Sequence, residues 1–218
     1  MKKKVFVNII LALVFVLGLA LIFNNQIKEF VVQHMVQSSV QQEIGKATKK
    51  ADYNLKNVEA LDAKTALDAA LNGTDAPIGK IAIPKLKIKL AIYEGVANVN
   101  LARGVGTMKP NQVMGQKNYA LAGHHMSDPQ ALFSPLVDAQ IGQKIYLTNG
   151  KTLYTYQIQQ KVDVKATEVQ WIDDQPDEKL LTLVTCSTAQ PGVKTRLIIR
   201  ANLVDQAKLT KKTAKYFV

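Results

Sequence analysis

The sequence predicts a small, mainly β domain, a barrel or a sandwich, held outside a membrane by an N-terminal helical anchor. Three observations carry that reading. Residues 5–23, VFVNIILALVFVLGLALIF, hold no charge. From residue 78 onward, short runs alternate apolar and polar side chains between turn residues, the period-two pattern of strands. Helix-period stripes fall mainly between those two regions.

The anchor comes first. Lys2, Lys3 and Lys4 precede the uncharged run, and Asn8 is its only strongly polar residue. Nineteen residues at ~1.5 Å each reach roughly 28 Å, enough for a hydrocarbon core of about 30 Å. Gly18-Leu19-Ala20 resembles a cleavage triplet, but the run is long for a signal peptide and continues past it. The positive-inside rule keeps the three lysines in the cytoplasm and sends the rest outside. The expected topology is a cytoplasmic tail at 1–4, a single plasma-membrane span at 5–23 and an extracellular remainder.

Residues 24–77 read as a helical or partly disordered stalk. They lack proline until Pro77, and Ile27, Phe30, Val31, His34 and Met35 recur at helical spacing, with Leu55, Val58, Leu61 and Leu67 as a looser set. GTDAP at 73–77 ends the stalk. The domain then runs over 78–206. IGKIAIPKLKIKLAIYEGV alternates around a proline, and further strands are expected at 118–123, 144–149, 153–164, 180–186 and 195–204. PQALFSPLVDA at 129–139 reads as a short helix, and 207–218 as a basic tail. Many short strands with few helices indicate a closed or sandwiched sheet.

Charge narrows the partners. The net charge is +11, and the first 23 residues contribute three lysines and no acids, so 25 basic against 17 acidic residues, +8, follow. Aromatics are few and no nucleic-acid motif is present, which argues against nucleic acid. An anionic lipid or wall surface suits an external basic domain better, beside the plain alternative of scattered, solvated lysines.

The chemistry converges on one thiol. Cys186 is the only cysteine, so no structural disulfide exists within the chain. It ends the strand pattern LLTLVTC, where Thr182, Val184 and Cys186 share a face. His124 and His125 end the pattern NYALAG. A neighbouring imidazole activates a thiol by pairing with the thiolate or taking its proton. Arg196 and Arg200, four apart in TRLIIRANL, share a face of the next strand, and a guanidinium there offers donors to an oxyanion. Each residue alone has a plainer reading: a buried cysteine, a polar loop, a solvent-facing arginine. A metal held by the histidine pair is disfavoured, because adjacent residues on a strand point to opposite faces.

Together these motifs resemble the class A, or housekeeping, sortases of Gram-positive bacteria. Thr182-Leu183-Val184-Thr185-Cys186 is similar to the family's TLxTC motif, and Arg196 matches the arginine on the following strand. Ala122-Gly123-His124 matches the histidine motif, with His125 as a neighbour. IGKIAIPKL, LARGVGTM, NYALAGHH, LFSPL and KIYLTNG follow in the family's order, over roughly 78 to 204. Class A is favoured over the pilus-building classes, which add a C-terminal anchor and an Asp-Pro-aromatic lid motif.

The resemblance implies an eight-stranded β-barrel and a cysteine transpeptidase. It implies that Cys186 attacks the Thr–Gly carbonyl of an LPXTG-type sorting signal, His124 moves the proton and Arg196 meets the oxyanion. A cell-wall precursor amine, of the lipid II type, then resolves the thioacyl-enzyme. Ala122, Thr185, Val169, Trp171 and Ile172 are expected to contact the signal, the last three as an apolar wall within 165–179. Some relatives bind calcium between an early acidic loop and this later one. Here the loop at 106–117 contains no Asp or Glu, so no metal and no cofactor is expected. The contrasting reading is a membrane-anchored, non-enzymatic module that binds cell wall, for which Cys186 would be dispensable.

Overall fold

The eight expected strands close into one barrel. The computed structural model describes residues 2–46 and 51–217; Met1, residues 47–50 of the expected stalk and Val218 of the expected tail lie outside it. The strands are β1 (Gly79–Ile83), β2 (Ile88–Tyr93), β3 (Gly104–Thr107), β4 (Asn118–Ala122), β5 (Lys144–Thr148), β6 (Thr152–Lys165), β7 (Leu180–Cys186) and β8 (Thr195–Lys208). Around the barrel they run β1-β2-β3-β4-β7-β8-β6-β5. Two neighbouring pairs, β2 with β3 and β4 with β7, are parallel, and the rest are antiparallel.

Closure leaves no sheet edge and turns one side chain of every alternating pair inward. Ile81, Ile83, Leu121, Ile145, Leu183 and Ile199 fill the interior, with the rings of Tyr119 and Tyr156. The longest pairing, β6 with β8, has register shifts between Thr155 and Tyr156 and between Ile158 and Gln160. Such bulges bend long strands around a barrel. The expected helix at 129–139 contracts to a 3₁₀ turn, Ser134–Asp138, opening on Pro135 near its start.

The helices divide by what covers them. α1 (Lys2–Ile22) contains a 19-residue apolar stretch, Lys4–Ile22, none of it buried by protein. α2 (Asn24–Gln41) lies against the barrel through Val32, Met35 and Val40. α3 (Ala63–Asn72) is capped by Asp62, whose carboxylate accepts from Thr65 N at 2.7 Å, and buries Ala66 and Ala69. A one-turn helix, α4 (Asn98–Leu101), precedes β3. The last residues fold back: after α5 (Lys211–Ala214), Phe217 is buried and Tyr216 stacks on Tyr146 with centroids 4.2 Å apart.

Candidate active site

Three strands bring the chemistry to one groove. The parallel pairing of β4 with β7 ends at Ala122 opposite Val184, and Gly123 N still donates to Val184 O at 3.1 Å. His124 follows two residues past that last pair on one chain, and Cys186 two residues past it on the other. On the other side of β7, Cys186 pairs directly with Arg196. All three residues line one groove of about 560 Å³.

The histidine loop is fixed by the LFSPL stretch. A Cβ on Gly123 would sit 2.6 Å from the Phe133 ring, so only glycine allows that ring to close over the strand end. Phe133 N donates to His124 O at 3.0 Å, and Met126 N donates to Ser134 Oγ at 2.7 Å. Because the strand stops at Ala122, alternation no longer governs the two histidines, and both line the groove.

Their environments differ. His124 is almost fully buried, its Nε2 has no hydrogen-bond partner, and burial pushes its pKa down to about 4. It is therefore neutral at ordinary pH and available to take a proton. His125 is half-buried, and its Nδ1 lies 2.8 Å from Cys186 O. A carbonyl only accepts, so this nitrogen carries the proton and ties the loop to the end of β7. Cys186 is partly exposed to the groove.

The arginines also differ. Arg196 is half-buried, and its Nη1 donates to Val193 O and Thr195 O, each at 3.0 Å. These bonds brace the loop between β7 and β8 and aim the guanidinium from the strand's start. The solvent-facing reading of Arg200 does not hold. It is half-buried, donates from Nη2 to Trp171 O at 2.9 Å and lies over the Trp171 ring at 4.7 Å. Its place opposite Thr182, four residues before Cys186, takes it away from the thiol.

The other expected contacts, Ala122, Thr185, Val169, Trp171 and Ile172, line the same groove. Val169–Ile172 forms a 3₁₀ turn that carries the apolar wall. Missing from the sequence-based set are Leu55 and Val58, which pack beside Trp171 and Ile172, and Asn25 and Lys28 of α2. The spacing of Leu55, Val58 and Leu61 was legible as an apolar stripe, but not what it covers. At the junction expected for calcium in some relatives, Lys109 Nζ lies 2.5 Å from Asp174 Oδ1. Among the described residues no cluster of three or more His, Cys, Asp or Glu could hold a metal.

A groove of this kind suits passage of an acyl group through a thiol, so its owner is a cysteine acyl-transfer enzyme. A sortase domain model matches residues 81–204. Sortase A of Listeria monocytogenes is 36% identical across 100% of this chain and 99% of its own length. Sortase A of Streptococcus agalactiae is 38% identical across 89% of this chain and 83% of its own length. The crystal structure of the Listeria enzyme superposes with a TM-score of 0.63 at 39% identity, covering 66% of this chain and 98% of that one. This chain belongs to the sortase family and is a cysteine transpeptidase that anchors proteins to the cell wall.

Proposed function

We propose that Cys186 is the nucleophile, His124 the proton carrier and Arg196 the oxyanion donor in cleavage of LPXTG-type signals between Thr and Gly. The observation that carries this is convergence on one groove: Cys186 pairs with Arg196 across β7 and β8, and His124, two residues past the end of β4, lines the same groove. As the Cys186 sulfur bonds to the Thr carbonyl carbon, its proton passes to the neutral His124. The carbonyl oxygen becomes an oxyanion facing the Arg196 guanidinium. Collapse breaks the C–N bond, and the imidazolium protonates the departing glycine amine. The burial that makes His124 reluctant to hold a proton makes its imidazolium a strong acid toward that amine.

The second half reverses the proton's path. His124 takes a proton from the amine of a cell-wall precursor, the amine attacks the thioester, and the thiol leaves with its proton restored. Val169, Trp171 and Ile172 form the wall for the apolar part of the signal, with Ala122 and Thr185 beneath it. α1 spans the plasma membrane with the lysines of residues 2–4 in the cytoplasm and the barrel outside; its apolar length and the lysines before it support this.

The test is incubation with an LPXTG peptide and an amine, reading products by mass. Parent enzyme should yield a peptide cut after Thr and joined to the amine. Cys186→Ala should stay folded and lose at least about 10⁴-fold in rate. Turnover near that of the parent would remove the nucleophile assignment.

A further inference from the structure

The groove is walled on one side by the helix that leaves the membrane span. α2 begins at Asn24, just after α1 ends at Ile22. Phe23 N donates to Leu19 O and Ile27 N to Phe23 O, each at 2.9 Å, so the helical ladder crosses the junction without a loose linker. α2 is then pinned to the barrel: Val32 and Met35 are buried, and Gln33 Nε2 donates to Asp128 Oδ2 at 2.5 Å.

One helical stripe does two things. Residues 25, 28, 32, 35 and 39 recur at spacings of three and four and share a face. Val32, Met35 and Ser39 bury that face in the protein. Asn25 and Lys28 continue it past the barrel's edge and line the groove that holds Cys186. On another face, Phe23, Ile27 and Phe30 are 49%, 48% and 72% exposed, extending the uncovered apolar surface of α1.

We propose that this docking holds the mouth of the groove at the membrane surface, and that Lys28 positions the phosphate of a lipid-borne amine acceptor. The proposal rests on α1 being the membrane anchor and on the amine acceptor being the second substrate. Lys28 stands six residues beyond Ile22, ~9 Å of helix rise, against a headgroup layer about 5–7 Å deep. Phe23, Ile27 and Phe30 suit the boundary between headgroups and acyl chains. Lys28 is half-buried and, among the described residues, takes no part in an ion pair. The groove's other charges are Lys165 and Arg196 against Glu59 and Glu168. An ammonium gives three donors and suits phosphate oxygens. An acceptor rising from the membrane passes Lys28 before its amine reaches Cys186, so its lipid-proximal part meets the lysine, and an anion there complements the ammonium. Asn25 adds a neutral amide on the same wall.

The experiment uses the full chain in phosphatidylcholine vesicles with a soluble LPXTG peptide as donor. Three acceptors carry the same amine peptide: free in solution, joined to a lipid through a phosphodiester, and joined to a lipid without phosphate. Lys28→Ala should raise KM for the phosphate-linked acceptor about tenfold, the worth of one charge-assisted hydrogen bond. Its kcat, and KM for the donor, should hold, and Lys28→Arg should recover most of the loss. A seven-residue helical insertion after Phe23 lifts the groove by ~10.5 Å while nearly keeping the helix face. It should cut transfer to both lipid-borne acceptors and spare the soluble amine. An equal Lys28→Ala loss with all three acceptors, or none with the phosphate-linked one, would overturn the proposal. So would a Lys28 effect that appears only when phosphatidylglycerol replaces phosphatidylcholine, which would assign the lysine to bulk lipid. A parent enzyme inactive even on the soluble pair is a separate result that sinks the underlying reading, and this inference with it.

Discussion

β4 and β7 lie parallel, and their two ends are built to opposite rules. At the starts, the strands' own buried polar side chains, Asn118 and Thr182, pair with each other. Buried Asn118 donates from Nδ2 to Trp171 O and Asp173 O, both at 3.0 Å, and accepts from Thr182 Oγ1 at 2.8 Å. At the ends, His124 Nε2 and Thr185 Oγ1 are buried with no partner. An unpaired buried polar atom costs about 1–3 kcal/mol, so a fold tolerates such atoms where something else will meet them. The starts hold the barrel together and the ends wait for substrate. Parallel pairing makes the division possible, because it collects both strand ends at one rim.

The largest expected effect falls on the open end. His124→Ala should cut peptide cleavage at least about 10³-fold, whereas His125→Ala should keep activity within about tenfold. His125 bonds a backbone carbonyl, which orients the chain, and the proposed mechanism gives it no proton to move. Reversed losses would break the comparison at its centre. Stability gives a second readout. The His124 pKa is about 4 in the fold against 6.5 for an ordinary imidazole. Between those values the unfolded chain binds a proton that the fold refuses, so stability is full above ~6.5 and falls as pH drops toward ~4. Thermal melts of His124→Gln should lose that slope.

Next in size is Arg196→Lys, which should cost roughly 100-fold in turnover, the scale of losing an oxyanion donor. Lysine cannot hold two carbonyls of the chain just before it and offer a fork at once. Arg200→Lys should leave kcat nearly unchanged and raise KM for the peptide several-fold, because the Trp171 stack and its carbonyl bond are lost. Equal kcat losses would mean that the oxyanion role belongs elsewhere.

How much of this was legible in the sequence follows from what alternation encodes. The pattern LLTLVTC gives the face of Cys186 and the strand 180–186 to the residue. It gives no neighbour. That β7 lies between β4 and β8 cannot be read from spacing, since β4 is far from β7 in sequence. Arg200 was misjudged for the same reason: a period of two marks a face as outward but cannot show that Trp171 covers it. The histidines share a groove because the strand ends one residue before Gly123, and a strand's last residue is poorly marked in sequence. The docking of α2 was hidden by its mixed stripe, in which Asn25, Lys28 and Ser39 accompany Val32 and Met35.

A paired substitution sharpens the contrast at smaller scale. Thr182→Val leaves Asn118 Oδ1 without its donor and should cost about 1–3 kcal/mol of stability, with cleavage kinetics unchanged. Thr185→Val deletes a hydroxyl that has no partner, so stability should hold or rise. Cleavage should instead fall, by about tenfold or less, if the hydroxyl meets the signal as proposed. Chemical melts and kinetics on the two variants should move in opposite columns. Loss of stability in both would show that the ends are not built differently.

The smallest expected effect concerns a site that is already filled. Lys109 Nζ lies 2.5 Å and Lys117 Nζ 3.6 Å from the two oxygens of Asp174, joining the loop at 106–117 to the loop before β7. The Lys109 ammonium holds the Asp174 carboxyl below the usual carboxylate range, helped by Asn118 N and Lys117. The pair is partly exposed, so it is worth no more than about 1 kcal/mol. Its importance is occupancy. Calcium takes six to eight oxygens, and here it would have to displace an ammonium to win the Asp174 carboxylate, while the facing loop at 106–117 offers none. The cleavage rate should therefore change less than about twofold between chelator and millimolar calcium. Lys109→Glu turns the same junction into two facing carboxylates. That variant should be slightly less stable in chelator and regain the loss when calcium is added, since like charges then have a cation to share. Several-fold activation of the parent by calcium would show that ligands assemble elsewhere in the loop before β7, at Asp173 or Asp177, and that the lysine pair does not fill the junction.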